Sequence, residues 1–562
     1  MSLGRGFFIG VHSKEEEYEA VKEFFELFKV PYEVFEENRS YNVVLTTQDI
    51  PMEVDTHLLL VFSSRRLGID NELGLRSSSV REGCVLKSDN EDLPIYGRLR
   101  TFSSDHIPLL KVRDDSEVAA VRVERGQLEI IRAGYDLFDE VRFLLSTGQP
   151  PAHARTPSLD LHISQVRKWI LNAGVLLVEI PPTPQGFDFA VCLTHDVDFI
   201  GIRKHILDHT MLGFLYRASL GSLFRFFKGR IRFQNLMANW KAVCLLPAVY
   251  LRLIDDYWEQ FDRYGELEKD IPSTFYFLPS RDTAGVLEGK KAPAKRGCKY
   301  DVERLKGKFS ELRQRGCEIG LHAIDAWNDL ERAREEVSKI CDLTGEPNIG
   351  SRTHWLYFDE NSAAILERAG VLYDSSLGYN DAVGYRNGTS QIFRPLGVSK
   401  LLEVPLHIQD TAMFYGSRMG LDMSEAFELT RNVLRTCLMY GGVLVINWHL
   451  RSLAPERLWD DIYEAILNEL KEHRVWFGTG RQIVKWFENR RKIQYSEIGF
   501  YGDALRVALK QTPDHEVPSL MLRVYIPSRH RPCEIRLADY ADQEIEVCVS
   551  FSSQDEVSLV NE

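Results

Sequence analysis

Two aspartates separated by one residue, Asp196 and Asp198 in Leu193-Thr194-His195-Asp196-Val197-Asp198, stand at the end of the apolar run Phe187 to Leu193. Side chains alternate along a strand, so both carboxylates point one way while His195 and Val197 point the other. Two unpaired carboxylates side by side repel, and one is driven to take up a proton unless a cation lies beside them. A divalent metal held by one acid, with the other acting as base, resolves that conflict. The plain alternative is a pair of acids capping a turn or the next helix. Further residues suited to metal or proton chemistry end later apolar runs: His322, Arg352 with His354, Asp374 and His449.

The elements that must position these residues follow a strand, helix, strand, helix rhythm after the boundary Pro181-Pro182-Thr183-Pro184. Candidate strands are Phe187 to Thr194, Ser273 to Leu278, Cys317 to Leu321, Gly350 to His354, Val371 to Asp374, Leu401 to His407, Val443 to Trp448 and Arg474 to Gly478. Asp422 with Glu425 and Thr479 with Gln482 read as capping boxes, and Gly370 as a helix stop. Repeated βα units imply a parallel sheet, and their number predicts a barrel, in which chemistry sits where strands end.

The chain has 562 residues, 44% of them hydrophobic, which is too many for one core and divides into several domains. Residues 1–150 alternate short strands with helices and read as a small α/β domain. The Pro- and Gly-bearing stretch 151–185 reads as a linker, 186–492 as the barrel with a helical insertion over 199–270, and 493–562 as a small β domain. A formal charge of -13 argues against a general nucleic-acid binder. Nine cysteines scattered singly suggest neither a zinc knuckle nor a disulfide framework and fit a reducing cytoplasm. The N-terminus lacks the pattern of a secretory signal, and no window is apolar enough to span a bilayer.

One stretch runs against the acidic balance. Arg203 to Lys241 holds eight Lys or Arg and a single acid, Asp208. Its apolar residues Leu212, Phe214, Leu215, Leu220, Leu223, Phe224 and Phe227 make either one face of a basic amphipathic helix touching a membrane surface, or part of a helical pair packed on the barrel.

Five pieces, in order, resemble the polysaccharide deacetylase superfamily, carbohydrate esterase family four, across roughly Phe187 to Lys492. They are Thr194-His195-Asp196-Val197-Asp198, Glu318-Ile319-Gly320-Leu321-His322, Ser351-Arg352-Thr353-His354-Trp355, Tyr373-Asp374-Ser375-Ser376, and the run Val443 to His449. The resemblance implies a distorted (β/α) barrel and a divalent metal, zinc first, held by Asp198 and His322. It implies Asp196 as base, Arg352 as the holder of that carboxylate, Asp374 as the residue orienting an acid histidine, and His449 as that acid. The family's second metal histidine falls at Ala326. His354 is the expected replacement, since it ends a neighbouring strand two residues after Arg352 and so faces the same side. Asp325, Asn328 and Asp329 lie near Ala326, but Asn328 and Asp329 suit a helix start. The implied activity is hydrolysis of N-acetyl groups on an amino sugar in a glycan or glycan precursor. The competing expectations are a non-catalytic carbohydrate-binding or scaffold protein with a degenerate metal site, and a hydrolase of a non-sugar amide.

Overall fold

The computed structural model describes residues 7–88, 91–287, 289–501, 504–510, 517–527, 531–537 and 544–550. At its centre lies a parallel sheet. Across it stand Leu402–Glu403, Tyr373–Asp374, Gly350–Thr353, Glu318–Ala323, Ser273–Phe277, Phe189–Val197, Val443–Asn447 and Ile408–Gln409. Val475–Phe477 adds to the start of Phe189–Val197. The runs Phe189 to Leu193 and Val443 to Ile446 are apolar without alternation and wholly buried, as strands covered on both faces must be. Helices such as Leu330–Thr344, Met423–Tyr440 and Asp460–Lys471 pack apolar stripes outside them.

The two edge strands belong to one stretch of chain. The Val404 N–H donates to the Asp374 carbonyl on one side, and the His407 N–H to the Val445 carbonyl on the other. A single segment thereby ties both edges, and the sheet curls closed. The strand expected over Leu401 to His407 is broken in two, because Pro405 has no N–H to donate to a ladder. Its second half runs beyond the expected end, to Gln409.

The N-terminal part is a nine-stranded mixed sheet. Its parallel half, Ile9–His12, Tyr32–Val34, Tyr41–Thr46, Thr56–Phe62 and Leu128–Ala133, contains the short apolar strands read from the sequence. The long hairpin Arg76–Ser88 with Glu91–Ser103 was not foreseen. Its first strand is polar and largely solvent-facing, so it carries no alternating apolar signal.

Residues 151–185 do not run as a linker. Ser158–Asn172 is a helix that buries Leu159, Val166, Trp169 and Ile170 in the N-terminal core. Leu177–Glu179 then pairs with Met521–Tyr525, so the C-terminal strands are joined to this segment rather than hung at the end of the chain. The turn Asn387-Gly388-Thr389 is likewise internal: Asn387 donates to the Leu144 carbonyl at 2.7 Å and Thr389 to Asp160 at 2.7 Å. Among the described residues no helix is long and apolar enough to cross a membrane.

Candidate active site

The last residues of Phe189–Val197 split as alternation demands. His195 turns away from the cleft and is buried, with its ring 4.5 Å from that of Phe275 and its Nε2 2.9 Å from Glu268. Asp196 and Asp198 turn to the other side, where the C-terminal ends of the neighbouring strands deliver His322, Arg352, His354 and His449. The cleft lined by Asp196, Asp198, His322, His354 and His449, with Arg352 buried behind it, has a volume of about 430 Å³, within the range of small-molecule sites.

Asp198, His322 and His354 form one cluster. Asp198 Oδ1 lies 3.2 Å from His322 Nε2 and 3.3 Å from His354 Nδ1, and the two imidazole nitrogens are 2.9 Å apart. His322 Nδ1 sits 2.9 Å from the Arg352 carbonyl and must carry a proton to make that bond, so Nε2 is the nitrogen that can offer a lone pair to a metal. Asp198 Oδ1 is buried with no hydrogen-bond donor among the described residues. Burial opposes ionisation of Asp198, but His354, His322 and His449 outweigh it and hold its carboxyl far below the usual range. Burial pushes the His354 imidazole down to about 3, against the pull of Asp198. A carboxylate oxygen and two imidazole nitrogens converging on one point, with that oxygen orphaned, fit a divalent cation, for which three protein ligands and an open position are typical.

The aim of His354 depends on the backbone behind it. Trp355 and Leu356 both take left-handed conformations, with φ of 66° and 54°, costing about 1–2 kcal/mol each. Arg296 donates to the His354 carbonyl at 3.1 Å and Asn380 to the Trp355 carbonyl at 2.8 Å, which holds the turn. Asp325 is not part of the cluster: it accepts from the Val286 N–H at 2.9 Å. Asp329 caps the helix Leu330–Thr344.

Asp196 is clamped from two sides. Arg352 Nη1 donates to Oδ1 at 3.1 Å and also to Thr194, its Nε and Nη2 donate to Ser375, and Asn447 donates to Oδ2 at 2.8 Å. Burial opposes ionisation, yet His322, Arg352 and His449 together keep the carboxyl below the ordinary range. Oδ2 lies 3.8 Å from His322 Nε2 and so borders the cluster.

His449 faces the same point, its Nε2 3.8 Å from Asp198 Oδ2. Its Nδ1 is 2.7 Å from Asp410 Oδ1, and its backbone N–H donates to Asp410 Oδ2 at 2.7 Å. Burial works against the imidazolium, but Asp410 foremost, then Asp198 and Asp196, raise His449 to about 9. Asp374 does not do this work. It accepts from Ser351 at 2.6 Å and Ser376 at 2.9 Å, and burial raises its pKa. The expectation that Asp374 orients His449 is therefore corrected in favour of Asp410, which follows the strand Ile408–Gln409. Asp410 and Asn447 are the residues that sequence reasoning missed. Both had a signal: Asn447 stands two places before His449 and so on its side, and Asp410 stands at a strand end once the break at Pro405 is recognised. Of the aromatic residues near these strand ends, Trp448 is core, while Trp355 lines the cleft under Lys295, 5.5 Å from its ring.

Fold and site together define a curled parallel α/β sheet bearing a carboxylate and histidine cluster at its C-terminal edge. No family model and no curated protein matches the chain. Among solved structures it is similar to a protein assigned as a polysaccharide deacetylase from Mycobacterium smegmatis, at 18% identity over 55% of this chain and 95% of that one, TM-score 0.32. It is similar to a probable polysaccharide deacetylase from Pseudomonas aeruginosa PAO1, at 13% identity over 54% and 93%, TM-score 0.35. It is also similar to PuuE allantoinase, at 14% identity over 54% and 92%, TM-score 0.33. Identities and TM-scores this low leave the chemistry to the chain's own geometry.

Proposed function

We propose that the chain is a metal-dependent hydrolase that removes N-acetyl groups from an amino sugar in a glycan or glycan precursor. The observation that carries this is the placement of a clamped, ionised Asp196 and a protonated His449 around the cluster of Asp198, His322 and His354. The sugar as substrate rests on the resemblance of the five strand-end motifs. Asp198, His322 and His354 would hold the ion. When bound, a divalent cation there supplies Lewis acidity, lowering the pKa of a water and polarising an acyl carbonyl.

The protein groups divide the proton transfers. Asp196 Oδ2 takes a proton from the attacking water, and Arg352 keeps that carboxylate ionised beforehand. His449 Nε2 gives a proton to the departing amine nitrogen as the C–N bond breaks, releasing acetate and the free amino sugar. Asp410 fixes the His449 tautomer, because the proton on Nδ1 is held in its hydrogen bond. Ala326 favoured a scaffold with a degenerate site, but His354 within 3.3 Å of Asp198 supports the enzyme reading instead.

The test is paired: metal content of the purified chain, and acetate release from N-acetylglucosamine oligomers. Bound metal with acetate release supports the reading. Bound metal without release on any N-acetylated sugar, but with hydrolysis of simple amides, would move the substrate away from glycans.

A further inference from the structure

The helical insertion keeps an apolar surface in solvent that nothing among the described residues covers. Of the 21 large apolar side chains exposed among the described residues, 13 lie between Ile206 and Leu253. The inward face is accounted for. Phe214 and Ala218 from the first helical arm, with Ala242, Leu246 and Val249 from Phe233–Tyr250, pack on Trp258 and Ala454 and fasten the hairpin to the barrel. The outward face is apolar too. Leu212, Tyr216, Leu220, Phe224 and Phe227 recur every third or fourth residue along His209–Phe227, and all are exposed. Phe233, Met237 and Trp240 form a matching stripe on the return helix. Phe227 is 77% exposed and Phe233 61%, on either side of the turn that joins the arms.

Charge separates the candidate occupants. Residues 206–253 hold seven Lys or Arg and one acid, Asp208, in a chain of formal charge -13. Asp208 is spent on the backbone N–H groups of Thr210 and Met211. Lys228, Arg230 and Lys241 stand in solvent beside the stripes. A second copy meeting this face would set one basic surface against another. An anionic phospholipid surface complements both features at once, since apolar side chains enter the acyl boundary while Lys and Arg meet phosphates. Neither arm is long and apolar enough to cross, and the inward face is already occupied by the barrel.

We infer that this hairpin docks the protein on the surface of an anionic phospholipid membrane. His209, Thr210 and Arg217 of the same hairpin line the catalytic cleft, so docking sets the cleft mouth beside the lipid. Resting on the function proposed above, the substrate that fits is a membrane-borne glycan whose sugar reaches the cleft while its anchor stays in the bilayer.

Flotation of the full chain with phosphatidylcholine vesicles, with and without about one third phosphatidylglycerol, tests the docking without reference to activity. The wild type should float with the anionic vesicles at low salt and be released at high salt. K228Q/R230Q should lower the partition coefficient about fivefold per charge removed. Phe224→Ser with Phe227→Ser should lower it at least tenfold, with unchanged circular dichroism and unchanged acetate release from soluble oligomers. Absence of flotation at low salt, or equal flotation with neutral vesicles, overturns the inference. So does a dimer in solution that the Phe224/Phe227 variant dissociates, because the stripes would then belong to a second copy.

Discussion

Asp410→Asn isolates the part of the site that the sequence concealed. Asn keeps an oxygen to accept from Ser452 and from the His449 N–H, but removes the charge 2.7 Å from His449 Nδ1. Raising His449 from 6.5 to about 9 corresponds to roughly 3 kcal/mol favouring the imidazolium, and Asp410 is the largest favourable contribution. The sign follows directly. A raised pKa means the acid form is present below about 9 and lost as pH rises through that value, so the wild-type rate should fall on the alkaline side near 9. Without Asp410 the fall moves towards 6.5, and at pH 7.5 the protonated fraction drops about tenfold. Lost orientation of the ring adds to this, for a decrease of about 100-fold or more in kcat. The assay is a pH–rate profile of acetate release for wild type, Asp410→Asn and Asp374→Asn. Only Asp410→Asn should move the alkaline limb, because Asp374 bonds Ser351 and Ser376 instead. An unmoved limb in Asp410→Asn, or an equal shift in Asp374→Asn, refutes the assignment of the acid pair.

Asp196→Asn should keep stoichiometric metal by elemental analysis while lowering kcat by about 10²–10⁴-fold, since the amide cannot accept the water proton. Asp198→Asn should instead lose metal. His354→Ala should lose metal and activity together under dialysis, and full metal at unchanged affinity in that variant would remove His354 from the ligand set. Arg352→Met leaves the Asp196 carboxylate buried without its cation, which should cost roughly 3–5 kcal/mol of stability in denaturant unfolding.

Much of the site was legible because strand alternation is a strict geometric rule. It placed Asp196 and Asp198 together and sent His195 into the core, and the same rule put His354 on the side of Arg352. Asp410 was hidden because Pro405 divides its strand, so the expected strand end fell two residues early, at His407 instead of Gln409. The hairpin Arg76–Ser88 with Glu91–Ser103 was hidden for the opposite reason: a strand exposed on both faces has no apolar period to read. In the insertion the two readings could not be separated by sequence, since apolar residues occupy both faces. Phe214 faces the barrel and Phe224 the solvent, and only the packing distinguishes them.

The central claim is that Asp198, His322 and His354 hold a catalytic divalent ion. It is tested most directly by stripping the chain with chelator, restoring one equivalent of zinc, and following acetate release from N-acetylglucosamine oligomers alongside bound metal. The account predicts no release from the stripped chain, recovery in proportion to metal bound, and neither binding nor recovery in His354→Ala. Acetate release that persists in the metal-free chain, or tight metal binding that His354→Ala leaves intact, would contradict it.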